Sequence, residues 1–198
     1  MPLPMILVLA AGASSRMRGA DKLLQKVEGM PLLRRQAMAA LASKIPVLVA
    51  LPALPGPRDE ALENLALERV RVEDAHLGMG HSIAAGAMAA MARGATSLMI
   101  MNADLPGLGT AEISTMLNAF DTAPGRIHIG TSASGALGHP VIFPGALLPE
   151  LTLLRGDQGA KEIVRREKFL TVALPGDAAT RDLDTPEDWA LWRAETGL

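Results

Sequence analysis

Met5-Ile6-Leu7-Val8-Leu9-Ala10-Ala11-Gly12-Ala13-Ser14-Ser15-Arg16-Met17-Arg18-Gly19-Ala20-Asp21-Lys22 opens with five apolar residues and closes among cations. The apolar run reads as a buried strand. The small residues after it let backbone N–H groups approach a phosphate closely, and Arg16, Arg18 and Lys22 are placed to neutralise it. Small residues alone would be met by a tight strand-to-helix turn. The cations that follow directly turn the reading towards a polyphosphate site.

Working outward, the same strand-then-helix alternation recurs. Leu32, Leu33, Gln36, Ala37, Ala40 and Leu41 form a helical stripe, with Pro31 in its first turn. Ile45–Leu51 reads as a second buried strand, and a charged helix starts near Arg58. Arg69–Asp74 alternates as a short strand. Gly78–Ser82 is a second small-residue turn, followed by an Ala-rich helix with Ile83, Ala87, Ala90 and Met91 on one face. Ser97–Met101 is a further apolar strand, running into Asn102-Ala103-Asp104-Leu105-Pro106, and Thr110 is expected to cap the next helix. Continuous apolar strands alternating with helices predict an α/β fold, a three-layer, mostly parallel sheet with helices on both faces. Ligands of such sheets gather at the carboxyl ends of the strands, where the Ala11–Lys22 loop, Gly78–Ser82 and Asp104 all fall.

The later chain is less regular. Arg126–Gly130, Gly138–Phe143 and Phe169–Leu174 read as extended segments, and Asp157 is expected to cap a short helix through Arg166. Thr185-Pro186-Glu187-Asp188 is a helix start, with a capping Thr, an early Pro and acids at the positive end. Trp189 and Trp192 are expected to hold that helix to the sheet.

Composition narrows the function. At 198 residues the chain suits one α/β domain. A net charge of −2 argues against general nucleic-acid binding. The absence of Cys excludes disulfides, thiolate metal sites and Cys nucleophiles. No apolar run reaches the length of a membrane span, and Met1-Pro2-Leu3-Pro4 reads as a strand lead-in rather than a signal peptide, so a cytoplasmic, small-molecule enzyme is expected. Charge is uneven: residues 16–35 hold six bases and residues 177–195 hold six acids, one pole suited to phosphate and the other to a cation. His76, His81 and His128 have no metal-ligand spacing. Neither a dinucleotide-binding glycine fingerprint nor the Gly-Lys-Ser/Thr of a P-loop is present, which disfavours dehydrogenases and P-loop ATPases.

Taken together, LAAGASSRMRGADKLL (residues 9–24) resembles the signature loop of the MobA-like nucleotidyltransferases, most closely the molybdenum cofactor cytidylyltransferases. The likeness continues at Gly78–Ser82, Ala103–Pro106, Gly138-His139-Pro140, Gly156–Ala160 and Asp182–Asp188. It implies a Rossmann-like nucleotidyltransferase fold, one domain over 1–198, with a nucleotide-binding part at about 1–110 and an acceptor-binding part at about 111–198. The implied reaction moves CMP from CTP to a phosphorylated acceptor, molybdopterin cofactor above all, and releases pyrophosphate. Alternatives are a sugar phosphate or another phosphorylated acceptor, or a non-catalytic nucleotide or cofactor carrier. A molybdoenzyme or maturation protein is a further implied partner.

The resemblance assigns roles residue by residue. Backbone N–H groups of the loop, with Ala10, Ala11, Gly12 and Ser14, would cradle the nucleotide; Arg16 would hold the β- and γ-phosphates; Lys22 would sit by the α-phosphate. Gly80 and Ser82 match positions that read base or ribose. Asp104 would bind Mg²⁺, with Asp184, rather than Asp182, as second ligand; the same residues as helix or turn caps is the plainer alternative. His139 and Asp157 stand open between acceptor contact and local turn or cap roles. Arg18 is an additional residue where many family loops pass from Met to Gly, either carrying a cation towards the phosphates or bulging outwards.

Overall fold

The computed structural model describes residues 3–198. Of the Met1–Pro4 lead-in, Pro4 opens the first strand, while Met1 and Pro2 lie outside the described residues. In chain order the elements are β1 (Pro4–Leu9), β2 (Lys26–Val27), β3 (Met30–Pro31), α1 (Leu32–Ala42), β4 (Val47–Pro52), α2 (Pro57–Ala61), β5 (Glu68–Val72), α3 (Met79–Ala92), β6 (Ser97–Asn102), α4 (Thr110–Thr122), β7 (Ile127–Thr131), β8 (Leu137–Pro144), α5 (Leu148–Leu151), α6 (Lys161–Arg166), β9 (Phe169–Ala173) and α7 (Pro186–Thr196). Single 3-10 turns at Ser15–Met17 and Lys22–Leu24 shape the loop after β1.

Seven strands form one sheet in the order β5-β4-β1-β6-β8-β7-β9, and β2 pairs with β3 as a small hairpin. The first four strands of that order are mutually parallel, β8 runs against both β6 and β7, and β9 is parallel to β7. The expectation of a mostly parallel sheet therefore holds, with β8 reversed. Its reversal has a simple cause: only residues 132–136 separate β7 from β8, too few for the crossover a parallel neighbour needs.

Alternate side chains of the central strands feed two cores. Ile6, Val8, Met99 and Met101 pack with Leu33 and Ala37 of α1 and Ile113 and Met116 of α4. Met5, Leu7, Leu98 and Ile100 pack with Ile83, Ala87 and Ala90 of α3 on the other face. Burial on both faces is what the continuous apolar runs required.

Local expectations differ in places. Pro31 precedes α1 as its N-cap instead of lying in the first turn, and Gly109, not Thr110, occupies the N-cap of α4. Gly80, His81 and Ser82 are already helical, and Met91 is 42 % exposed because the inward stripe of α3 ends at Ala90. Asp157 lies in a 3-10 turn ahead of α6, whose N-cap is Ala160. Thr185 does cap α7, accepting from the Asp188 N–H.

The tryptophans serve a different contact from the one expected. Trp189 and Trp192, edge to face at 6.0 Å, pack with Met17, Val27, Leu32 and Leu183. They thus bind α7 to the underside of the loop after β1 and to the β2–β3 hairpin, not to the seven-stranded sheet.

Candidate active site

The loop 10–21 leaves β1 and is held by its own side chains. Ala10 N–H donates to the Ala50 carbonyl of β4. Ser14 sits in a left-handed conformation at φ 50°, and Met17 turns inward as a buried anchor. Asp21 accepts from the Leu23 N–H and so starts the turn that carries Lys22.

Asp104 follows the carboxyl end of β6, and its carbonyl accepts from the Leu183 N–H at 3.1 Å. That backbone bond draws the acidic segment Asp182–Asp184 across to β6. One oxygen each of Asp104, Asp182 and Asp184 then falls within 4.8 Å of the others. Lys22 Nζ lies 2.5 Å from Asp104 Oδ2 and 2.6 Å from Asp184 Oδ1, and the Arg16 guanidinium lies 2.6 Å from Asp184 Oδ2. The basic and acidic segments are therefore not separate poles, as their positions in the sequence suggested; they meet face to face. Arg18 also reaches across, to Glu187, but both side chains are exposed and the pair bulges outwards.

Charge in this cluster is strongly coupled. Burial works against the Lys22 ammonium, yet Asp104 and Asp184 outweigh it and raise its pKa above the usual lysine value. Burial, then the charges of Asp184 and Asp104, push the Asp182 carboxyl up. Burial holds the His139 imidazole below its ordinary value, partly offset by the Ile100 carbonyl and by Asp104 and Asp182.

A cavity of about 410 Å³ opens at the carboxyl ends of β1 and β6. Of the residues predicted from the sequence, Ala10, Ala11, Gly12, Ser14, Arg16, Lys22, Ser82, Asp104, Asp157 and Asp184 line it. Gly80 and His139 do not. Gly80 is buried under the Arg155–Gly156 backbone, where an added Cβ would stand 2.8 Å from the Arg155 carbonyl carbon, so its lack of a side chain answers a packing need. His139 lies on β8 with Nδ1 3.3 Å from the Ile100 carbonyl oxygen. A second cavity of about 390 Å³ adjoins the first across Ala11–Ala13 and is walled by Pro52, Leu54, Pro57, Val72, Glu73 and His76.

Three residues escaped the reading of the sequence. Arg58 is buried beside the loop, Asn102 lines the first cavity, and Glu73 lines the second. Asn102 and Glu73 were open to inference, since Asn102 ends β6 and Glu73 directly follows β5 at the carboxyl edge of the parallel sheet. For Arg58 no such signal exists, because its partners lie 37 to 48 residues away.

A small-residue loop with flanking cations, facing carboxylates at the carboxyl end of a parallel sheet, defines the class: an enzyme that handles nucleoside polyphosphates by transfer at phosphorus. The chain belongs to the MobA-like NTP transferase domain family, whose model matches residues 6–172, and is a nucleotidyltransferase of that kind. It is 26 % identical to the purine catabolism protein PucB of Bacillus subtilis, over 93 % of each chain. The structure is similar to that of Rv0371c from Mycobacterium tuberculosis (TM-score 0.82, 26 % identity, 96 % of each chain). A complex of Rv0371c with manganese superposes with TM-score 0.75 at 21 % identity, over 96 % of this chain and 97 % of that one. A Methanothermobacter nucleotidyl transferase shares the fold, with TM-score 0.78 at 20 % identity over 98 % and 97 % of the two chains.

Proposed function

We propose that this nucleotidyltransferase moves CMP from CTP onto the phosphate of a molybdopterin-type acceptor. The observation that carries the reading is the convergence of Arg16, Lys22, Asp104 and Asp184 on the cavity lined by the Ala10–Ser15 backbone. An acceptor phosphate oxygen attacks the α-phosphorus, a new P–O–P bridge forms, the bond from the α-phosphorus to the bridging oxygen breaks, and pyrophosphate leaves with the electron pair. A phosphate monoester is an ionised nucleophile and needs no general base. The obstacle is the approach of one anion to another, so catalysis is alignment and charge stabilisation.

Arg16, 69 % exposed at the cavity mouth, is suited to the outer phosphates. Lys22, deeper and more enclosed, is suited to the α-phosphate. Glu73 in the adjoining cavity offers acceptor oxygens to a base bearing an amino group, such as cytosine. Asp157 lines the far side of the first cavity and is suited to the acceptor, with His139 a neighbour of the acidic cluster. In this reading the nucleotide uses residues up to about 110 and the acceptor uses the later chain.

Magnesium fits the residues present. Asp104 Oδ1 is buried and has no hydrogen-bond partner among the described residues, and magnesium favours one or two carboxylates together with phosphate oxygens and water. Asp104 and Asp184 would hold the ion, which when bound neutralises charge on the phosphates. That Rv0371c has been solved with manganese is in keeping with a divalent ion here.

The test is a panel of the four ribonucleoside triphosphates against molybdopterin cofactor and sugar phosphates, with Mg²⁺ or Mn²⁺, read as pyrophosphate release. Release with CTP and molybdopterin cofactor is expected. Equal turnover with CTP and GTP overturns the base assignment, release with sugar phosphates alone overturns the acceptor, and binding without release favours a carrier.

A further inference from the structure

The structure assigns Arg58 as the positioning residue of the phosphate loop, an internal cation that lines the second cavity but not the first and shapes the loop without facing the phosphates; the inference rests on the phosphate-binding reading of that loop. Arg58 stands on α2, just beyond the carboxyl end of β4, and is 7 % exposed. Its Nε and one terminal nitrogen grip Asp21 in a fork, at 2.7 Å to Oδ2 and 2.9 Å to Oδ1. The same terminal nitrogen donates to Ser14 Oγ at 3.1 Å, and the other donates to the Ala10 carbonyl at 2.6 Å. The start, the left-handed bend and the end of the loop are thus tied to one planar group.

The tie extends to the loop's cation. Ser14 Oγ accepts from the Lys22 N–H at 3.3 Å and donates to Asp21 Oδ1 at 3.1 Å. Its hydroxyl capacity is fully used by these bonds and the one from Arg58, which leaves the loop backbone, not the Ser14 side chain, to meet phosphate. The Lys22 backbone is therefore placed by a chain of contacts that begins at Arg58.

Electrostatics gives the arrangement a second role. Asp21 is an anion next to Lys22, in a loop that must attract a polyanion. Burial alone would raise its pKa, but the Arg58 hydrogen bonds and charge outweigh that and keep it ionised and paired. The paired carboxylate lines the second cavity and not the first, so the charges of the loop that face the phosphate cavity are those of Arg16 and Lys22. Lysine cannot replace this geometry, since an ammonium offers no fork.

The experiment uses the full chain and inorganic tripolyphosphate, a probe independent of base identity, with cytidine as control. R58M should weaken tripolyphosphate binding by on the order of 30-fold or more, and shift cytidine binding by less than about threefold. R58K should fall between R58M and wild type, and D21N combined with R58M should recover part of the loss by removing the stranded acid. Equal losses for tripolyphosphate and cytidine, or no loss in R58M, overturn the assignment of Arg58. If R58M does not fold, R58K carries the test: wild-type tripolyphosphate affinity in R58K overturns the assignment. A wild-type protein that binds neither tripolyphosphate nor any triphosphate overturns the phosphate reading itself, a result distinct from the others.

Discussion

Lys22 Nζ lies 2.5 Å from Asp104 Oδ2, with Asp184 Oδ1 2.6 Å away on the same ammonium. Lys22 therefore sits where it links the two carboxylates suited to a divalent ion. Without nucleotide, the ammonium and a metal compete for the same two carboxylates; a triphosphate gives Lys22 another anion to bind. The prediction has opposite signs in two measurements. K22M should bind Mn²⁺ more tightly than wild type without nucleotide, by about tenfold or more. It should also lose turnover by on the order of 10²–10³. Titration of nucleotide-free protein by manganese EPR, beside a pyrophosphate assay, reads both. Unchanged or weaker Mn²⁺ affinity in K22M sinks the competition.

Asp104, Asp182 and Asp184 should not be equivalent. D104N and D184N should each reduce metal-dependent pyrophosphate release by on the order of 10²–10³, by analogy with losing one electrostatic group of an active site. D182N should cost less, since Asp182 makes no ion pair with Lys22 or Arg16, whereas Asp184 contacts both. Metal titrations at saturating triphosphate measure the difference, and full activity in D104N would refute the ligand assignment.

Acid stability should report the Asp21–Arg58 pair. The folded-state pKa of Asp21 is lowered. Its contribution is then complete above the ordinary aspartate value of about 3.9 and is lost as pH falls through the lowered one. Wild type should exceed D21N in melting temperature near about pH 6, and that margin should shrink below about pH 4. A margin independent of pH would contradict the pairing.

Trp189 links helix, loop and acids through one small core. W189A should destabilise the protein by about 3–5 kcal/mol in urea unfolding. Because Trp189 packs in one cluster with Met17 and Leu183, Mn²⁺ affinity should fall as well. A destabilised variant with wild-type metal affinity would separate α7 from the site.

Much of this was legible along the chain. Continuous runs such as Met5–Leu9 and Ser97–Met101 declared strands buried on both faces, and the loop 10–22 declared its chemistry by residue type. These are local properties: an apolar strand or a cation after small residues carries its meaning within a few positions. Even Asp104 could be singled out, because it follows directly on an apolar strand.

What the tertiary structure alone decided is which distant groups meet. Residues 16–22 and 182–187 read as opposite charges at two ends of a sequence, and the fold brings them within ion-pair distance through the Leu183–Asp104 backbone bond and the tryptophan cluster. Arg58 looked like an ordinary helix-start cation until burial matched it to Asp21, Ser14 and Ala10. Residue type and spacing determine local geometry and burial, whereas electrostatic partnership depends on distance in space, and no periodicity in the chain encodes that.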